Sequence, residues 1–180
     1  MLKFKVPVLG FAAYSGTGKT TLLVKLIPLL KQAGIRVAMI KHAHHDFDID
    51  IPGKDSYELR KAGADQVLVA SAKRRALIRE MATEAEPQLV ELVNELDLDE
   101  IDLVLVEGFR HVAFPKIELH RPSFNRDLIS EHDVSVIAVA SDEMIDTGLP
   151  LLDINKPEQI QRFIQQWMSQ LITESLLGPK

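Results

Sequence analysis

Two rhythms alternate along the chain. Short runs of consecutive apolar residues give way to stretches in which apolar residues recur every three or four positions, the patterns of buried strands and of amphipathic helices. Residues 5–13 read as a buried strand and 19–33 as a helix carrying Leu22, Leu23, Leu26, Ile27 and Leu30 on one face. Gly34 stops that helix, and Pro28 inside it removes one backbone donor and predicts a bend. A second strand spans 35–41, and a polar stretch follows it. Next comes a short helix over 55–62, with Asp55 and Glu58 spaced as a capping box and Gly63 behind it. Strands are predicted over 65–71 and 75–80, and a helix over 84–96.

The run IDLVLVE at 101–107 is apolar enough for a central strand covered on both faces. Strands over 115–120 and 134–140 flank a polar loop, 121–133. A last helix runs from 156 to 172, with Trp167 as a core anchor among Ile160, Phe163, Ile164, Met168, Leu171 and Ile172. Strands alternating with helices predict an α/β domain with a mainly parallel sheet. With 180 residues, the whole chain, 1–180, is expected to form one domain.

The turn between the first strand and the first helix reads AYSGTGKTT, Ala13 to Thr21. Phosphates need closely packed backbone N–H donors, and glycine lets the chain curl tightly enough to aim them inward. Gly16 and Gly18 fill that need among Ser15, Thr17 and Thr21, and a helix opening at Gly18 adds its unpaired N–H groups. In this pattern Lys19 reaches the β- and γ-phosphates and Thr20 offers its hydroxyl to Mg2+. Ala13 stands where the pattern has its first glycine, so the loop closes only if the backbone there keeps a negative φ. The loop in this setting makes the fold a P-loop NTPase-type three-layer one. Glu107 ends the apolar strand just before Gly108 and should emerge at the carboxyl edge of the sheet, where it is the candidate metal ligand beside Thr20.

KHAHHD, after the second strand, brings His42, His44 and His45 together, with Asp46, Asp48 and Asp50 behind them. Three readings stay open: a transition-metal site, a mobile segment that orders on the γ-phosphate, and a solvated loop. In the second, Lys41 and Lys54 assist, and an aspartate orients the attacking water. Asp48, Asp50 and Asp55 are the alternatives, with Asp50 as the working candidate. Arg60 reads as an exposed helix residue rather than a phosphate clamp. For the base, a carboxylate that accepts two donors from guanine would discriminate against adenine. Asp142, after the strand VIAVAS, is the favoured candidate; Asn155 of NKPE is read as a helix cap.

Composition narrows the classes. Lys plus Arg is 21 and Asp plus Glu 26, a net charge of −5, which argues against a general nucleic-acid binder or a membrane-surface protein. Cysteine is absent, which excludes disulfide scaffolds, thiol nucleophiles and iron–sulfur or thiolate–zinc sites. No spanning segment is visible, and a cytoplasmic location is expected.

AYSGTGKTTLL, KHAHHDFDIDIPGKDSYELRKAGA, IDLVLVEGFRH and VIAVASD, in this order, resemble the MobB family, the molybdopterin-guanine dinucleotide biosynthesis adapter proteins, from about residue 6 to 170. The resemblance implies a GTP-binding protein with weak, Mg2+-dependent GTPase activity. It implies work beside the MobA-type guanylyltransferase that joins GMP to molybdopterin, with other molybdenum-cofactor proteins as partners and molybdopterin as a ligand. It also implies a homodimer, with β-structure near 65–80 or 112–121 extending between subunits. The family's loop often has glycine where Ala13 stands. Tyr14 replaces the lysine with which some dimeric ATPases reach into the partner's nucleotide. Two other classes share the loop: a small-molecule kinase, with Arg121 and Arg126 in a lid, and a metallochaperone GTPase using the histidines.

Overall fold

A computed structural model of the chain describes residues 2, 4–43 and 47–177. In chain order the elements are β1 (Val8–Ala12), α1 (Lys19–Gln32), β2 (Val37–Lys41), α2 (Asp55–Lys61), β3 (Gln66–Ala70), β4 (Arg75–Arg79), α3 (Leu89–Asn94), β5 (Leu103–Glu107), β6 (Lys116–His120), β7 (Val136–Ser141), β8 (Leu151–Asp153) and α4 (Pro157–Leu177). They fall into two compact units, one made of the residues up to His42 and from Gln88 onward, the other of Ala43–Pro87.

In the larger unit six strands form one sheet in the order β2-β5-β1-β6-β7-β8, and every neighbouring pair is parallel. Alternate residues point to opposite faces. Leu9 and Phe11 of β1, Leu103 and Leu105 of β5, and Ile117 and Leu119 of β6 pack in one core with Leu22, Leu26 and Leu30 of α1 and Ile160 and Ile164 of α4. Val8, Val104, Val106 and Ile40 turn the other way and pack with Leu89 and Val93 of α3. The result is the three-layer α/β arrangement that the strand–helix alternation predicts. β5 lies inside the sheet with Leu103 to Val106 fully buried, as its unbroken apolar run requires.

Several boundaries differ from the sequence reading. The helix expected over 84–96 is only Leu89–Asn94, because Pro87 disfavours helical geometry at Glu86. β8 was not expected: three residues are too few to show a period, and Leu151–Asp153 is a strand only through its pairing with β7. β7 begins at Val136, and Val134 is 99% exposed. α4 opens on Pro157, a residue suited to a first helical position, which leaves Asn155 outside the helix it was expected to cap. That helix runs to Leu177 rather than 172, Trp167 packs against the core as a half-buried side chain, and Ile172 is exposed rather than inward. In α2 the cap position falls on Lys54 with no side-chain cap, so Asp55 is the first helical residue and the expected capping box is not formed.

Between β5 and β6, and between β6 and β7, the chain crosses the sheet without an α-helix. Here β6 turns a polar row inward. Lys116, Glu118 and His120 are buried, with Glu118 wholly so. The Lys116 ammonium donates to Asp133 Oδ2 at 2.7 Å and Ser135 Oγ at 2.6 Å. The Glu118 carboxylate accepts the backbone N–H groups of Ile129 and Ser130, both at 2.8 Å. Burial alone would push the Asp133 carboxyl up, but Lys116 and Ser135 outweigh it and hold it below the usual carboxylate range. A buried cation left without its partner costs about 3 kcal/mol or more. Asp133→Ala is therefore expected to lower the urea-unfolding free energy by about that amount. Adding Lys116→Met should recover most of the loss; no recovery would contradict the pairing as its cause.

The smaller unit holds α2 and the antiparallel hairpin β3–β4, with Leu68 opposite Leu77. Its hub is Arg60, whose side chain is 8% exposed. The guanidinium donates to Asp50 Oδ1 at 2.7 Å, Asp48 Oδ1 at 2.5 Å and Glu80 Oε1 at 2.9 Å. This corrects the reading of Arg60 as an exposed helix residue. Leu68, Val69 and Leu77 of the hairpin face solvent.

Candidate functional site

β1 ends at Ala12 and α1 begins at Lys19, so residues 13–18 form a tight loop at the carboxyl edge of the sheet. Gly16 and Gly18 have φ of +81° and +106°, left-handed values that a Cβ would strain. Ala13 is not among the described non-glycine residues with positive φ, which are Phe109 and Asn125. The condition for a loop with alanine at its first position is therefore met. Thr17 is 2% exposed, and its hydroxyl donates to Tyr14 O at 2.8 Å, closing the turn from within.

The first N–H of α1 to find a helical carbonyl is that of Leu22, to Gly18 O at 2.9 Å. The amides of Lys19, Thr20 and Thr21 precede it as the helix's open donors. The Lys19 ammonium folds back over the loop, 3.3 Å from Ala13 O. Ser15, Gly16, Thr20 and Thr21 are exposed. The open amides at the start of α1 and the ammonium beside them are chemistry suited to an anion.

Glu107 is the last residue of β5, in register with Phe11 of β1 and Lys41 of β2. Its carboxylate has no hydrogen bond or ion pair among the described residues. The turn after it is tightly constrained. Gly108 has φ +104°, and a Cβ there would lie 2.5 Å from His42 Cβ. Phe109, at φ +53°, stacks on the His42 ring with centroids 4.7 Å apart. Left-handed backbone at a bulky residue marks strain of the kind that collects at functional edges. A carboxylate at that edge and the Thr20 hydroxyl are hard oxygen donors, the chemistry that Mg2+ prefers.

Asp142 follows β7 and does not stand alone. The Arg121 guanidinium, just past the end of β6, forms an ion pair with its Oδ2 and donates through Nε to Thr17 O at 2.9 Å. Asp142 Oδ1 is buried without a hydrogen-bond partner. The structure thus joins the candidate base-reading carboxylate to the loop before α1 through an arginine that the sequence suggests only as part of a lid. The signal for it was available: Arg121 directly follows a strand at the same sheet edge. In the sequence Tyr14 stands out only as a departure from other loops. Its ring lies 5.7 Å from the Arg110 guanidinium and 5.8 Å from that of Arg126.

Asp50 lies in the smaller unit, where Arg60 holds its carboxyl below the usual carboxylate range. Its side chain, 6% exposed, is committed to that ion pair. His44, His45 and Asp46 lie outside the described residues. Among the described residues no group of three or more His, Asp or Glu side chains could hold a metal ion. No helix among them is long and apolar enough to cross a membrane.

The family model for "Molybdopterin guanine dinucleotide synthesis protein B" (MobB) matches residues 8–142. The chain is 52% identical over 172 residues to an Escherichia coli (strain K12) protein named molybdopterin-guanine dinucleotide biosynthesis adapter protein, covering 92% of this chain and 95% of that one. A Haemophilus influenzae protein of the same name is 44% identical over 164 residues, covering 91% and 90%. A crystal structure of molybdopterin-guanine biosynthesis protein B superposes with a TM-score of 0.69 at 29% identity, covering 89% of this chain and 99% of that one.

Proposed function

The chain belongs to the MobB family, and on that premise we propose that it is a GTP-binding adapter in molybdopterin guanine dinucleotide biosynthesis, a homodimer that assists a MobA-type guanylyltransferase in attaching GMP to molybdopterin. The observation that carries the nucleotide half is the loop from Ala13 to Thr21, whose left-handed glycines leave the first amides of α1 open.

In this reading Gly16, Thr17, Gly18 and Lys19 bind the phosphates through backbone N–H groups, and the Lys19 ammonium moves from Ala13 O to the β- and γ-phosphate oxygens. Thr20 and Glu107 hold the Mg2+, which supplies charge neutralisation at those oxygens when bound. Asp142 reads guanine through Oδ1, which Arg121 leaves without a partner and which is buried until a base displaces what covers it. Asp50, the working candidate for orienting the attacking water, is paired with Arg60 among the described residues. The solvent-facing Leu68, Val69 and Leu77 of the hairpin favour a second copy covering them. The absence of cysteine fits a reducing cytoplasm.

The test is a coupled assay in which purified guanylyltransferase converts GTP and molybdopterin to the dinucleotide. Adding the chain is expected to raise the rate or yield several-fold, with its own GTP turnover far slower than product formation. No stimulation at any ratio would contradict the adapter role. Transfer of labelled γ-phosphate to an acceptor hydroxyl would favour the kinase class instead.

A further inference from the structure

β6 lies between β1 and β7 in the sheet. β1 runs into the glycine loop before α1, and β7 ends beside Asp142. The residue that follows β6 is therefore placed to reach both, and that residue is Arg121. The register agrees: Ala12 pairs with Glu118, and His120 pairs with Ser141, one position before Arg121 and Asp142. The backbone at Arg121 is held by the turn it opens, in which its carbonyl accepts the Phe124 N–H at 3.0 Å. The Phe124 ring lies along the loop, 3.9 Å from where a Cβ on Gly16 would stand.

The guanidinium divides its donors between two acceptors. Nε donates to Thr17 O at 2.9 Å, and Nη1 pairs with Asp142 Oδ2. A guanidinium stays charged and presents its N–H groups in a rigid planar fork, so the two acceptors are held in one geometry. Thr17 O belongs to the peptide unit that carries the Gly18 N–H. In a trans unit the carbonyl and the N–H point in opposite directions, and the described residues contain no cis peptide bond. Fastening the carbonyl to Arg121 therefore aims the Gly18 N–H away from the guanidinium. That N–H has no hydrogen bond among the described residues. Gly18, at φ +106°, tolerates φ of either sign. The peptide unit before it is thus free to turn over unless its carbonyl is anchored, and Arg121 is the anchor.

We infer that Arg121 is a positioning residue: it sets the Thr17–Gly18 peptide so that the Gly18 amide is open to a phosphate, and it ties that setting to the carboxylate that reads guanine. The grip on phosphate and the choice of base are then one coupled unit. A base that donates to Asp142 Oδ1 satisfies a buried acceptor and steadies the carboxylate that holds the other end of the fork. Adenine, without a matching pair of donors, does neither. Hydrogen bonds linked in this way strengthen one another. The inference rests on the nucleotide reading above for the roles of the loop and of Asp142. In it Arg121 touches neither base nor phosphate, and no bond is made or broken.

The full chain is titrated, with Mg2+ present, with inorganic tripolyphosphate, which has no base, and with non-hydrolysable analogues of GTP and ATP. Arg121→Gln is expected to weaken tripolyphosphate at least about fivefold and to narrow the preference for GTP over ATP at least about fivefold. Asp142→Asn should weaken tripolyphosphate at least about threefold, although that probe has no base to read, and should cause no further loss in the Arg121→Gln background. Arg121→Lys keeps the charge but offers one ammonium in place of a fork, so it should recover at most one of the two losses. Amide NMR spectra of the ligand-free proteins should show one Gly18 resonance in the parent and an exchange-broadened one in Arg121→Gln. The same spectra report whether each variant is folded; should Arg121→Gln not be, Arg121→Lys must show at least one of the two losses. Unchanged tripolyphosphate affinity in a folded Arg121→Gln overturns the inference and leaves the nucleotide reading intact. Recovery of both losses by lysine also overturns it, since Arg121 would then act as a charge alone. A parent chain that binds none of the probes removes the nucleotide reading and this inference with it.

Discussion

Lys19→Ala is expected to weaken a non-hydrolysable GTP analogue by at least about 100-fold while moving the melting temperature by less than about 4 °C. The first half follows from what the ammonium gives up. Each hydrogen bond to a charged group contributes about 1.5–3 kcal/mol, and in the proposed site Lys19 would supply two phosphates at once. The second half follows from what it does without ligand. Among the described residues its one hydrogen bond is a long one, 3.3 Å to Ala13 O, and alanine is the best helix former at the first turn it would occupy. Isothermal titration together with thermal unfolding separates the two effects. Unchanged affinity would remove the loop from the nucleotide site. A large fall in melting temperature would mean that the lysine holds the loop itself together.

Asp142→Asn should reduce GTP affinity about 10- to 100-fold more than ATP affinity. Guanine offers a ring N–H and an amino group to one carboxylate, and adenine presents no such pair. The buried Oδ1 without a partner is the acceptor available for them. Part of the loss will be common to both nucleotides, because Asp142 also holds Arg121, which holds Thr17 O. The quantity to measure is therefore the ratio of the two losses in parallel titrations. Equal losses would mean that Asp142 acts on the loop through Arg121 and does not read the base.

Much of this site is written in local sequence. Gly16, Gly18, Lys19 and Thr20 carry their meaning through spacing, because a loop that must curl around phosphate needs glycines at fixed positions ahead of a helix. Glu107 was placeable because an unbroken apolar strand ends on it. What the sequence does not carry is chemistry assembled from distant residues. Arg121 meets Thr17 across 104 positions, and Arg60 gathers Asp48, Asp50 and Glu80. No period or spacing announces either. The polar row of β6 was equally hidden: Lys116, Glu118 and His120 alternate with Ile117 and Leu119 as in a half-exposed strand, yet both faces are buried. The departures in fold have the same origin. β8 exists through its neighbour, and α3 is shortened by a proline whose effect falls on the residue before it.

The central claim is that the loop from Ala13 to Thr20 cradles a triphosphate. Its most direct test is a crystal structure of the chain with a non-hydrolysable GTP analogue and Mg2+. The account predicts the β-phosphate within hydrogen-bond distance of the amides between Gly16 and Lys19, the ammonium of Lys19 swung off Ala13 O, and the metal between Thr20 and Glu107. A nucleotide bound at full occupancy elsewhere, with Lys19 still on Ala13 O, would contradict it.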